Sequence, residues 1–231
     1  MSGYVKIVSW SARAPALETR ELWIDWFKKG KFIERAVSSD SKEYKPLCKE
    51  LKPAVRRRTT ILSRFIIEPF FEAASLGCMD IADTAIVFAS EHGEIGVLEL
   101  LLQEIANKEQ LSPIDFCNSV HHTPIGYLSM AALNRGISKT VSAGVNTFAA
   151  GLLESAVLLD LDKVSSVALL AGDLTVKESI GKGIKRPRFS FGTAMILKRA
   201  SHGEQGAISL KSIKDKFNKI DVFDFLKELI N

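Results

Sequence analysis

Between Ser112 and Leu159 the chain runs from a strand-like segment, Lys139-Thr140-Val141-Ser142, through a small-residue turn, Ser142-Ala143-Gly144, into an apolar helix bearing Phe148, Leu152, Leu153, Ala156 and Leu159. A strand, a sharp turn and a buried helix in that order form an elbow. The turn residue of an elbow sits at the helix N-terminus, where unpaired backbone N–H groups and the helix dipole favour a thiolate or an oxyanion. Here that residue is Gly144, which has no side chain to present. The position is either a nucleophile site without its nucleophile or a plain turn needing positive φ, and both predict the same backbone. Asn146 is placed to cap the helix, and Ala149-Ala150-Gly151 gives it a small face for close packing on a sheet.

The flanking pattern alternates strands and helices. Val5 to Trp10 reads as a first strand ending in the Ala14-Pro15 turn, and Leu22 to Phe27, with Trp23 and Trp26 three apart, as a short amphipathic helix. Ser38 to Pro53 is polar and reads as a surface excursion. From Arg56 to Leu76 apolar residues recur every three or four positions, the mark of a buried helical face, and Pro69 is expected to bend or restart that helix. Thr84 to Ser90 is a strand, followed by the polar turn Glu91-His92-Gly93-Glu94 and a helix through Ala106. Ser112-Pro113 and Pro124 to Leu133 open two further helical pieces. Val164 to Ala171 and Phe189 to Leu197 are apolar strands, and Val222 to Ile230 is an amphipathic helix. Together these predict a layered α/β fold with a parallel or mixed sheet.

A chain of 231 residues, 46% of them hydrophobic, suits one domain spanning 1–231. No apolar run approaches the roughly 18 residues of a membrane span, so no membrane insertion is expected. The N-terminus lacks the apolar core of a secretory signal, which makes a cytoplasmic location the default. Cys48, Cys78 and Cys117 are odd in number and lack metal-site spacing, so no disulfide framework, zinc site or other metal is expected. The net charge of +4 is mild, but basic residues cluster at Lys28, Lys29 and Lys31, at Arg56 to Arg58, and at Lys182, Lys185, Arg186 and Arg188. Such clusters suit an acidic partner surface. No helix-turn-helix, aromatic platform or phosphate-loop ending accompanies them, which argues against nucleic acid and nucleotide.

Cys117 is the thiol nearest the elbow in sequence. If a helix continues to His121 at i+4, the two form a Cys–His pair; the alternative is a buried thiol beside a structural histidine. Adjacent His121 and His122 point apart on a helix and make a poor metal site.

Four blocks, RRRTTILSRFIIEPFFEAA, VFASEHGEIGVLELLLQEIA, LSPIDFCNSVHHTPIGYLSMAAL and SAGVNTFAAGLLESAVLL, occur in order between about Arg56 and Arg199. In them the chain resembles the short β-ketoacyl-synthase-like N-terminal domain family, which includes chain length factors of aryl polyene clusters. The resemblance implies a thiolase-like half fold, a mixed five-stranded sheet with helices on both faces. It aligns Gly144 with the cysteine that accepts the acyl group in active condensing enzymes, leaving Ser142, Ala143 and Gly144 as a vestigial elbow with no catalytic residue. The histidines that complete such a site come from a C-terminal half that is expected to be missing here.

The resemblance further implies that Thr140, Val141 and Ser142 belong to a strand that pairs across a two-fold axis. Phe116, His121, Thr123, Ile125 and Tyr127 become candidates for the interface or for the wall of the partner's acyl tunnel. Arg56, Arg57 and Arg58 either dock an acidic acyl carrier protein through charge-assisted bonds or form a solvated helix start. No cofactor is expected. The implied function is a non-catalytic, chain-length-factor-like subunit of type II fatty acid or polyketide synthesis of the aryl polyene kind, paired with a ketosynthase subunit. Two other readings stay open: a homodimeric acyl-binding or scaffold protein, and a stand-alone acyltransferase or ketosynthase using Cys117 or Ser142.

Overall fold

Hydrophobic alternation along the central strands sets the layers. In β4 (Ser166–Asp173), Val167, Leu169 and Ala171 belong to one core and Ala168 and Leu170 to the other. Strands β2 (Ala85–Ala89) and β5 (Phe191–Arg199) divide their residues in the same way. Each therefore has both faces covered, as the period-2 pleat requires of a buried strand. The structure is a computed structural model that describes residues 3–29, 44–161, 163–175 and 189–230. Lys31, residues 38–43 and the basic stretch 181–188 lie outside the described residues.

The sheet is mixed, with strand order β3-β2-β4-β5-β1-β6, where β1 is Tyr4–Arg13, β3 is Ser138–Val141 and β6 is Ile208–Ser209. Strands β3 and β4 run parallel to β2 on either side of it, while β5, β1 and β6 join by antiparallel pairing. The sequence predicts five strands, and the sheet has six. The additional β6 is a two-residue pairing with Tyr4 and Val5, too short to leave a pattern.

Helices cover both faces. One face carries α1 (Arg20–Lys29), α7 (Thr147–Leu159), α8 (Leu210–Asp215) and α9 (Val222–Ile230), whose Trp23, Leu152, Ile213 and Leu226 enter one core. The other carries α3 (Ile61–Leu76) and α6 (Thr123–Ala132), with Ile66, Phe70, Ile125 and Leu128 in the second core. Shorter α2 (Pro53–Arg56) precedes α3, and α4 (Ile95–Ala106) and α5 (Pro113–Asn118) lie between β2 and α6.

Helix α3 starts at Ile61 rather than Arg56, and Pro69 lies inside it without ending it. A proline there removes the N–H that would bond the Phe65 carbonyl. Gly192 of β5 approaches that same carbonyl so closely that a Cβ on Gly192 would overlap it. The sheet thus packs where the helix has lost its own bond, which fixes both a proline and a glycine in place.

Candidate functional site

The elbow forms at the C-terminal ends of the parallel strands. After Val141 ends β3, Ser142 and Ala143 lead into a single tight turn, Gly144–Asn146, and then into α7. Gly144 has φ +56°, and a Cβ built on it would meet nothing within 4 Å. The turn therefore has the room for a presented side chain, at a position whose positive φ favours glycine, and carries none. Asn146 does not cap α7 with its side chain; its amide instead donates to Asn218 Oδ1 at 3.0 Å. Thr147 instead ties the turn to the helix, its hydroxyl donating to the Gly144 carbonyl at 2.6 Å and accepting from the Ala143 N–H at 2.9 Å.

Beside the elbow opens a cleft of about 530 Å³, with Ala89, Gly144, Phe148, Asp173, Phe191 and Phe223 among its lining residues. Its outer wall is α9, where Phe223 stacks on Trp23 at 5.9 Å between centroids and Phe225 meets Phe148 edge-on at 5.4 Å. Asp173 is buried at the end of β4 and accepts from Ser90 Oγ at 2.7 Å, the Glu91 N–H at 3.1 Å and the His92 N–H at 2.9 Å. One carboxylate thus fixes the loop after β2 against the elbow. The sequence reading missed Asp173 and the cleft walls: the walls come from remote segments, and the available signal was an acid closing an otherwise apolar strand.

The same loop is tied to α3. Glu94, only 4% exposed, accepts from the Thr60 hydroxyl at 2.6 Å and the Ser63 hydroxyl at 3.4 Å. Burial raises its pKa from 4.5 to about 7, against the smaller opposing effect of these two bonds. Thr60 also caps α3 by accepting from the Ser63 N–H at 3.1 Å.

The basic turn precedes α3. Arg57 and Arg58 are exposed and Arg56 is half-buried, its guanidinium donating to the Leu47 carbonyl at 3.3 Å. The Arg58 carbonyl accepts from Asn118 Nδ2 at 3.1 Å, and Tyr127 Oη lies 3.0 Å from both that carbonyl and Asn118 Oδ1. This places the arginines next to the helices that carry Phe116, Thr123 and Tyr127.

Those candidates divide by exposure. Phe116 is 65% exposed on α5, whereas Ile125 is fully buried within the chain's own second core. Thr123 opens α6 and is half-buried. The His121 ring packs on Gly93 and lies edge-on to Phe88 at 6.2 Å. His122 Nδ1 sits 2.6 Å from Thr140 Oγ1, and its pKa is lowered by burial and then by His121. Thr140 and Val141 lie on β3, an edge strand of the sheet whose outer side has no strand partner among the described residues.

The Cys117–His121 helical pair, one of two readings of that spacing, does not form. Helix α5 ends at Asn118, so His121 lies in the following turn, and Cys117 is exposed rather than buried. Ser142 is exposed with its hydroxyl donating to the Glu91 carbonyl at 3.2 Å. The three cysteines are free, and among the described residues no group of three or more His, Cys, Asp or Glu side chains is placed to hold a metal ion. No described helix is long and apolar enough to cross a membrane.

A family model described as β-ketoacyl synthase, N-terminal domain, matches residues 23–221. The complex of the ketosynthase ApeO with its chain length factor ApeC from Xenorhabdus doucetiae contains a chain similar to this one. The TM-score is 0.70 and the identity 26%, covering 85% of this chain and 79% of that one. The ishigamide ketosynthase/chain length factor matches at TM-score 0.65 and 14% identity, covering 88% of this chain and 64% of that one. The AntDE:AntF complex, a type II polyketide synthase acyl carrier protein with its ketosynthase bound to the hexaketide, matches at TM-score 0.65 and 14% identity, covering 86% and 64%. The chain thus spans slightly under two thirds of the latter two, and at 14% identity they show the fold alone. That fold is the thiolase-like fold of ketosynthases. No curated protein matches.

Proposed function

The chain belongs to the β-ketoacyl synthase N-terminal domain family, and from that membership we propose that it is a non-catalytic, chain-length-factor-like subunit that pairs with an active ketosynthase. The observation that carries this reading is Gly144, an elbow residue with positive φ and open space at its Cβ position. Covalent acyl transfer needs a nucleophile at that point and a positioned group to activate it. A glycine supplies neither. The retained strand, turn and helix are then a folding element whose product is an interface.

The interface is built around the outer edge of β3, with Thr140 and Val141 pairing across it. An edge strand with unpaired backbone groups is a template for another strand. On α4 and α5 this chain exposes Phe116, Leu98, Leu102 and Ile105, apolar side chains of the kind that a partner covers. Covering the exposed half of each such side chain contributes roughly 1 kcal/mol. Phe116, with Thr123 and Tyr127 behind it, reaches into the partner's acyl tunnel and limits chain length by its bulk. Arg57 and Arg58 draw the acidic acyl carrier protein toward the same edge. The product belongs to type II fatty acid or polyketide synthesis, in the aryl polyene manner that the sequence resemblance implies.

Co-expression with a ketosynthase subunit and an acyl carrier protein tests the reading. A one-to-one complex is expected, with longer products for Phe116→Ala and shorter ones for Phe116→Trp. The same β3 edge also suits a second copy of this chain, and a homodimer that ignores the ketosynthase would replace the reading with a scaffold role.

A further inference from the structure

Helix α4 is apolar over more of its surface than the chain covers. Most of its residues, IGVLELLLQEIA, are apolar, yet among these described residues Leu101 alone is buried. Leu98, Leu102 and Ile105, spaced i, i+4 and i+7 on one stripe beside Leu101, are 46, 53 and 57% exposed. Among the helices and strands, α4 and α5 pack mainly on each other, which leaves that stripe open. Ile114 and Phe116 of α5 are exposed as well.

This two-helix layer is already ordered. The Glu104 carboxylate accepts from the Ser112 N–H at 3.3 Å, and the Ser112 hydroxyl caps α5 by accepting from the Asp115 N–H at 3.3 Å. At the far end of α5 the Asn118 amide donates to the Arg58 carbonyl at 3.1 Å. A partner therefore meets a preformed surface, where little ordering entropy offsets the gain from covering apolar side chains.

Charge decides which partner fits. From Ile95 to Asn118 the chain has four carboxylates, Glu99, Glu104, Glu109 and Asp115, against one lysine, Lys108, although its overall charge is +4. Glu99 borders the stripe three residues before Leu102, while Glu104 lies in the last turn of α4 and Glu109 just beyond it. That last turn holds no basic residue, so the negative end of the helix dipole adds to the carboxylates. The field over the stripe favours cations. A second copy of α4 brings the same carboxylates, and an acyl carrier protein, a nucleic acid or an anionic membrane is negative too.

We propose that the α4–α5 layer docks a partner helix whose apolar stripe is flanked by lysine or arginine. Such a helix lays its stripe along Leu98, Leu102 and Ile105, as amphipathic helices do in apolar grooves, and sets its cations against Glu99 and Glu109. This goes beyond the ketosynthase reading and does not rest on the pairing of β3.

Fluorescence anisotropy of the full chain with two labelled peptides tests it. Both peptides are about 18 residues long, enough to form a helix in water, and share one leucine stripe; one carries lysine beside the stripe and the other glutamate. The lysine peptide is expected to bind about tenfold or more tightly than the glutamate peptide, with the difference shrinking as salt is raised. Leu102→Ser with Ile105→Ser is expected to weaken the lysine peptide about tenfold, and Glu99→Gln with Glu109→Gln about threefold. Circular dichroism of both variants should match the wild type, since these side chains are exposed or half-buried. No binding of the lysine peptide, equal binding of the two peptides, or unchanged affinity in either variant overturns the inference. So does a wild-type dimer in sedimentation that Leu102→Ser with Ile105→Ser splits, because a second copy then covers the stripe. Failure of a ketosynthase to co-purify overturns the proposed function and leaves this inference standing.

Discussion

The Thr60 hydroxyl donates a 2.6 Å hydrogen bond to the buried Glu94 carboxyl, joining the start of α3 to the loop that flanks the elbow. Because burial raises the Glu94 pKa from 4.5 to about 7 in the folded chain, its contribution to stability is fully present below pH 4.5. As pH rises the unfolded chain ionises first, and stability falls until the folded group also ionises near pH 7. The loss is on the order of 3 kcal/mol. Glu94→Gln keeps an acceptor for Thr60 and removes the titration. Thermal melts are expected to match the wild type at pH 4 and to exceed it by several degrees at pH 8.

Gly192 faces the Phe65 carbonyl with no space for a Cβ. Gly192→Ala forces β5 away from α3 or displaces the helix at the point where Pro69 has already removed a backbone bond. The expected cost is about 2–4 kcal/mol in urea unfolding, since neither backbone can yield locally.

At Gly144 the obstacle is backbone conformation and not space. Gly144→Ala is expected to cost about 1–2 kcal/mol through φ alone, although nothing lies within 4 Å of the added carbon. Gly144→Asn, which tolerates positive φ better, is expected to cost less. Equal melting temperatures for the two variants would contradict the strained-turn account.

Asp173 accepts three hydrogen bonds from residues 90 to 92. Asp173→Ala is expected to lower stability by about 3 kcal/mol, because two backbone N–H groups and a buried hydroxyl lose their acceptor. Hydrogen exchange should then speed at Glu91, His92 and Gly93 before it does in β4.

Much of the fold follows from local pattern. The alternation in β2, β4 and β5, the Ser112 cap of α5, which accepts from the Asp115 N–H at 3.3 Å, and the elbow at Gly144 are all set by neighbours in sequence. Where the reading and the structure part, distant groups decide. Pro69 continues α3 because β5 packs at the bond it breaks. Asn146 leaves its capping role because Asn218 offers its amide another partner. Helix α5 stops at Asn118, whose side chain binds the Arg58 carbonyl, so the Cys117–His121 spacing never becomes a shared helical face. The cleft walls and Asp173 form a site only when α9 and the β2 loop fold onto the elbow, and no local pattern records that meeting.

Intact-protein mass spectrometry of the ketosynthase complex, after incubation with acyl-loaded carrier protein, tests the central claim most directly. The account predicts that the acyl mass appears on the ketosynthase partner and that this chain keeps its unmodified mass. An acyl adduct on this chain, lost in Cys117→Ala or Ser142→Ala, would contradict it.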